Sequence, residues 1–394
     1  MSMALSPAPI APSRRGACPS LDVPMATGDG LLARLRVAGG RMTPQQLAGI
    51  AALAAQHGNG LIEISARGNL QVRGLTASSS GPFAAAVEQL VRIERGLVVE
   101  VPPLAGEDAR EIADPRPLAA AIRSAALPLA GQLGPKVTVI VDGCGQIGLA
   151  QSKADVRLEA VAPDGWAVSI GGRAIGLRSA ADAVAATQDC LEALAERGIA
   201  ARASELPPAA AFGARVAASP QNDDAMRRFA LGDGTPVRRV ALAYGSGDHV
   251  SLTALAQAAA EHGVTEFRLA PQHSLLAIGA SEGFVALARD LGFVTDAGDP
   301  RRRISACIGS AGCASGLVPA RETADRLAPG LPPKLHLHVS GCSKGCAHPR
   351  RADVTLVGQR DGYGLVIAGS AGDTPQALLA ADQLESALAT AGQG

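Results

Sequence analysis

Apolar residues recur at Leu47, Ile50, Ala51 and Ala54 behind Thr43, Pro44 and Gln46, a stripe of helical period that opens on a capping box and closes at His57-Gly58. The spacing predicts a helix with Thr43 as N-cap. Two runs of period two follow, residues 61–65 and 70–74, and predict a β-hairpin. The same order returns 205 residues later: Leu252, Leu255, Ala256 and Ala259 form the stripe, Ser251 is the expected cap, and residues 267–270 and 275–279 form the hairpin. Gly28-Asp29-Gly30 is echoed by Gly232-Asp233-Gly234.

A second repeat, offset by 198 residues, sets residues 136–144 against 334–342, so that Gly143-Cys144 answers Gly341-Cys342. It continues through Asp155-Val156 against Asp353-Val354, and helices are expected after both copies, near 179–197 and 374–391. The order along the chain is A-B-A′-B′. The expected layout is an N-terminal arm (1–25), half A (26–125), domain B (126–204), a Pro/Ala-rich linker (205–227), half A′ (228–300) and domain B′ (301–394). A duplication of this kind predicts an α+β protein with a pseudo-two-fold axis.

Composition narrows the function. With 394 residues, 47% of them hydrophobic, the chain needs more than one core. Its 36 basic residues balance 36 acidic ones, so an anionic ligand must be met by a local basic cluster, and nucleic acid is not an expected partner. Aromatic residues are only 2%, too few for base-stacking platforms. No apolar run has the length of a membrane span, and the first 25 residues lack the apolar stretch of a signal peptide. A cytoplasmic protein is expected, in which the seven cysteines serve as thiols or metal ligands.

Gly143-x-Gly145-x-x-Gly148 follows a strand-like run, as a dinucleotide fingerprint would, but the next strand-like run opens at Val156 and leaves no room for the helix that would hold a pyrophosphate. A turn is expected there, and any electron donor must be external. The stronger signal is Cys307-x5-Cys313, then 28 residues, then Cys342-x3-Cys346. Small neighbours (Gly309, Ser310, Gly312, Gly341, Gly345) let backbone amides approach cluster sulfurs, and four thiolates are what a cubane iron-sulfur cluster requires. Zinc is the rival, although its structural sites favour a shorter C-x2-4-C knuckle; unrelated buried thiols are the other alternative. In the first copy Cys144 answers Cys342 while Gly148 answers Cys346, so that copy lacks a ligand set. Cys190 lies in a helical run and is expected in the core; Cys18 has no readable role.

Around this quartet the chain resembles the superfamily of siroheme sulfite and nitrite reductases, and residues 339–349 are similar to the branch that forms precorrin-3B in aerobic cobalamin biosynthesis. The likeness extends to residues 14–19, 28–32, 38–40, 67–74 and 102–106. It implies ferredoxin-like, parachute-shaped A halves with two cluster/tetrapyrrole B domains, and a 4Fe-4S cluster on Cys307, Cys313, Cys342 and Cys346. It also implies tetrapyrrole carboxylates held by Arg34, Arg67 and Lys136, a pairing suited to guanidinium and ammonium groups. For this branch it implies a mononuclear non-haem iron as well. His336 and His338, on one face of a strand, and His348 are candidate ligands; the plainer reading of them is a polar sheet face. Pro135 stands where the reductases carry an arginine, which weighs against siroheme. The implied reaction is hydroxylation of precorrin-3A at C20 with dioxygen and γ-lactone closure, driven by an external electron donor such as an NADH-linked reductase or a ferredoxin-like protein. The rivals are a siroheme-dependent sulfite or nitrite reductase, and an iron-sulfur electron-transfer protein without catalysis. His57 and His262, at helix C-termini where a cation is favoured, need no further role.

Overall fold

The computed structural model describes residues 18–207 and 228–392. Most of the expected arm, including residues 14–17 of its motif, and all but the first three residues of the expected linker lie outside them. The first half runs β1 (Met25–Thr27), β2 (Gly30–Leu35), β3 (Arg41–Met42), α1 (Pro44–His57), β4 (Leu61–Ile64), β5 (Leu70–Leu75), α2 (Ser80–Leu90), β6 (Val98–Glu100), α3 (Arg116–Ala125), β7 (Thr138–Asp142), β8 (Val156–Ala162), β9 (Gly165–Ile170), β10 (Arg173–Arg178) and α4 (Ala180–Arg197). The second half repeats it: β11 (Phe229–Ala230), β12 (Pro236–Ala241), β13 (Ser246–Asp248), α5 (His249–Ala258), β14 (Glu266–Ala270), β15 (Ser274–Ile278), α6 (Glu282–Asp290), β16 (Ile304–Ala306), α7 (Ala320–Leu327), β17 (Leu337–Ser340), β18 (Ala352–Gln359), β19 (Gly362–Gly369), β20 (Ala377–Leu379) and α8 (Leu384–Ala391). The duplication covers every one of these elements.

Helix α1 forms as its sequence dictates. The Thr43 side chain accepts from Gln46 N, the Gln46 side chain accepts from Thr43 N, and Leu47, Ile50, Ala51 and Ala54 are buried. In the second copy the cap is Asp248 rather than Ser251. Asp248 occupies the position of Thr43, 205 residues on, and its carboxylate accepts from Ser251 N at 2.8 Å.

The A sheet has the order β1-β2-β5-β4-β13 and the A′ sheet β11-β12-β15-β14-β3, so each half lends one short strand to the other. Gly247 pairs with Ile62, and Met42 with Phe267. This exchange, which the repeat pattern did not foretell, fuses the halves around a single core containing Leu47, Ile50, Phe83, Leu252, Leu255 and Phe284. The B and B′ sheets are β10-β9-β8-β7-β6 and β16-β17-β18-β19-β20. Strand β6 pairs in parallel with β7, and Leu118 and Ile122 of α3 share a core with Val139 and Leu158. The expected boundary after residue 125 therefore falls inside the B unit, which begins at β6. In B′, the helix expected from residue 374 starts at Leu384, because residues 377–379 add an edge strand to β19.

Candidate active site

Parallel strands β16 and β17 lie side by side in the register Ala306↔Val339, so the loops leaving their C-terminal ends emerge together. Cys307 and Cys313 belong to the first loop, Cys342 and Cys346 to the second. Leu317 N donates to Gly341 O (2.8 Å), and Gly341 N donates to Cys307 Sγ at 3.0 Å. A backbone amide aimed at a thiol sulfur suits a cluster ligand. Burial raises the Cys346 thiol, and the crowding of Cys342, Cys307 and Cys313 raises it further. The four sulfurs thus share one neighbourhood.

The A half holds one side of this loop pair. A Cβ on Gly28 would stand 2.4 Å from Cys313 Sγ, and Gly28 O accepts from Ala314 N at 2.9 Å. The turn carrying Gly28 is fixed by Asp29, whose nearly buried carboxylate accepts from Arg73 Nη2 (2.6 Å) and Nε (2.9 Å), from Asn59 (3.0 Å) and from Thr27 (2.7 Å). Burial alone would raise the Asp29 carboxyl; the hydrogen bonds and charge of Arg73 outweigh it and hold the group below its usual range.

The cysteines open on a cleft of about 1520 Å³ between A, A′ and B′. Its lining includes Arg34, Arg73, Arg239, Arg301, Arg302, Arg321 and Lys344, against one carboxylate, Glu63. Three of these cations are already ion-paired, Arg73 with Asp29 and Glu63, Arg321 with Glu63 and Arg301 with Asp299, so the excess of positive charge over the cleft is smaller than the lining alone shows, though its sign is still positive in a chain of zero net charge. The opposite cleft that a two-fold axis would generate is filled. The A-sheet residues Leu32, Gln71 and Arg73 have Val237, Leu276 and Ile278 as counterparts 205 positions on, and these pack with Leu104 and Ile147 of the B loops and with Phe229. The Gly143–Gly148 loop supplies that plug, and no helix separates β7 from β8, so no dinucleotide site stands there.

Of the residues expected to bind carboxylates, Arg34 lines the cleft, with the Gln71 side-chain oxygen accepting from its Nη2 (2.9 Å) and Nε (3.0 Å). Arg67 is exposed on the turn between β4 and β5, close enough to lower Arg34 electrostatically after burial has done so, but outside the lining. Lys136 is exposed ahead of β7, at the end of that strand opposite Cys144, and is not brought to the cleft. The sequence reading missed Arg73, Glu63, Arg239 and Arg321. A legible signal existed: the first hairpin carries Glu63, Gln71 and Arg73 where the second has Arg268, Leu276 and Ile278.

The three histidines do meet. His348 lies edge-on to His336 (4.5 Å between ring centroids) and to His338 (5.7 Å). His336 Nε2 is within 3.0 Å of Ser305 Oγ and His348 Nε2 within 3.2 Å of Arg351 O, whereas neither ring nitrogen of the fully buried His338 has a partner. Burial, then the two neighbouring rings, push His338 down to about 4, so it is neutral. Among the described residues no three His, Cys, Asp or Glu side chains converge as a single-ion site. No described helix is long and apolar enough to cross a membrane.

A duplicated ferredoxin-like core with a basic cleft over four cysteines is the architecture of the nitrite/sulfite reductase class. Residues 23–90 match the model of the nitrite/sulfite reductase ferredoxin-like half domain, and residues 297–384, which contain all four cysteines, match the nitrite and sulphite reductase 4Fe-4S domain. The NirA protein of Mycobacterium tuberculosis superposes with a TM-score of 0.60 over 90% of this chain and 79% of its own, at 18% identity, a likeness of fold. A precorrin-3B synthase from a Sinorhizobium species is 38% identical over 98% of this chain and 89% of its own. The chain belongs to the precorrin-3B synthase family.

Proposed function

We propose that the protein is the oxygen-dependent synthase itself, hydroxylating precorrin-3A at C20 and closing a γ-lactone from a ring acetate, with electrons from an external reductase or ferredoxin-like donor. The observation that carries this reading is the cleft onto which all four cysteines open together with seven basic side chains. A tetrapyrrole rich in acetates and propionates fits such a surface, and arginines suit carboxylates through bidentate pairing. Cys307, Cys313, Cys342 and Cys346 would hold the 4Fe-4S cluster, which when bound supplies single electrons to the cleft. Arg34, steadied by Gln71, would clamp one substrate carboxylate, and Arg321, which lines the same cleft, would meet another. Holding the ring at several carboxylates fixes which meso carbon meets the reacting oxygen. His336, His338 and His348 lie together, but among the described residues they do not form a set that could hold a single metal ion.

The direct test is turnover of precorrin-3A with reductant and isotopically labelled dioxygen. Label is expected at the C20 hydroxyl, with no useful reduction of sulfite or nitrite. Label arriving from water defeats the monooxygenase reading, and a siroheme spectrum with rapid sulfite turnover favours the reductase. A second expected result concerns binding. Arg34→Ala should weaken tetrapyrrole affinity roughly tenfold to a hundredfold, the loss of a charge-assisted hydrogen bond costing about 1.5–3 kcal/mol. Iron and sulfide content should stay unchanged. Lys136→Ala, outside the cleft, should bind as wild type, so equal losses in the two variants would count against the clamp.

A further inference from the structure

The turns between the hairpin strands of A and A′ stand at equivalent positions but differ in sequence and in backbone conformation. Gly68 (φ 80°) occupies the left-handed position in the first copy, where glycine is free of strain; 205 residues on stands His273 (φ 61°), preceded by Gln272 (φ 63°). A side chain has been placed where the fold favours none, and departures of this kind concentrate where a side chain is needed. The ring is held firmly. Its Nδ1 lies 2.7 Å from Ile64 O; a carbonyl only accepts, so Nδ1 carries the proton and Nε2 keeps its lone pair. Leu242 N donates to His273 O at 2.8 Å. Gly245 clears the space for the ring, since a Cβ there would stand 2.3 Å from Nδ1. His273 lines the cleft together with Arg34 and the four cysteines. Burial lowers its basicity, with the Ile64 hydrogen bond and Glu63 acting the other way.

We infer that His273 is the proton-transfer residue of this cleft, its Nε2 touching the bound tetrapyrrole beside the carbon that is hydroxylated. The inference rests on the reaction proposed above. There one atom of dioxygen becomes the C20 oxygen and the other leaves as water, with two electrons from the external reductase or ferredoxin-like donor and two protons. The acetate enters ionised and leaves as an uncharged lactone when its oxygen bonds to the ring carbon, so a third proton is needed to complete the C20 hydroxyl. His273 Nε2, protonated from the bulk solvent, gives that proton to the C20 oxygen and returns to the neutral tautomer fixed by Ile64.

The test compares wild type, His273→Gly, which restores the glycine of the sister turn and leaves a ring-sized space, and His273→Asn, whose side chain tolerates the left-handed region. Both variants should keep their iron and sulfide, and their rates are compared at saturating precorrin-3A. Their single-turnover rates should fall on the order of 10²–10⁴-fold, the usual share of a positioned acid-base group. Added imidazole should restore part of the rate to His273→Gly and none to His273→Asn. Wild-type rates in both variants, or slow variants that imidazole leaves unmoved, overturn this role while leaving the synthase reading intact. A wild-type protein that does not convert precorrin-3A overturns the functional reading and this role together.

Discussion

Serine at Cys307, Cys313, Cys342 or Cys346 is expected to strip or degrade the iron-sulfur cluster, while Cys144→Ser leaves iron and sulfide at wild-type levels. The contrast follows from the duplication. Cys144 stands at the position of Cys342, but its loop has Gly148 where the second copy has Cys346, and that loop plugs the filled cleft through Ile147. Burial first, then the neighbouring carboxylates of Asp142 and Glu159, push the Cys144 thiol up to about 12, and its loop offers no second cysteine. Each quartet cysteine, by contrast, opens on the basic cleft, and one is already approached by a backbone amide. Iron and acid-labile sulfide analysis with the visible spectrum decides the matter. Unchanged sulfide in Cys346→Ser, or cluster loss in Cys144→Ser, would defeat the assignment.

Gly28→Ala is expected to empty the cluster site without unfolding the protein, although residue 28 is far from the quartet in sequence. The added methyl would lie 2.4 Å from Cys313 Sγ, well inside the contact distance of roughly 3.5–4.0 Å for such atoms. In the absence of a cluster the Cys313 side chain can turn to another rotamer at little cost. A sulfur bonded to iron has no such freedom. The backbone of Gly28 cannot retreat either, being tied to Ala314 N and anchored through Asp29 to Arg73. The strain therefore falls on the loaded protein alone. Far-UV circular dichroism and melting of the cluster-free variant should match wild type, while reconstituted iron and sulfide fall severalfold. Full cluster content in Gly28→Ala would show that Cys313 is not held where the sulfur now lies.

Much of this molecule was legible before folding because its signals are local or repeated. The capping box of Thr43 and Gln46, the apolar stripe behind it and the two-residue period of the hairpins depend only on neighbours along the chain, and the stripe and hairpins return at a fixed offset as α1, α5 and the paired sheets. The cysteine spacing was equally plain. The elements misplaced were those whose place is set by a distant strand: the edge strand β20, which delays α8, and β6, which leaves the A half to join β7.

The sequence by itself determined that there are two copies of one design, that only the second carries four cysteines, and that no excess of charge spans the whole chain. Only the tertiary structure decided which charges line the cleft. Arg67 and Lys136 match their motifs yet stay exposed, while Arg73, Arg239 and Arg321, scattered over some 250 positions of sequence, converge on one cleft. Convergence depends on the strand exchange between A and A′ and on which sheet face each side chain leaves, and a strand reports its alternation without saying what will lie opposite. The same reason hid what Gly28 and His273 face. A glycine against a cysteine sulfur and a histidine in a glycine's conformation acquire meaning only when the facing element is in place.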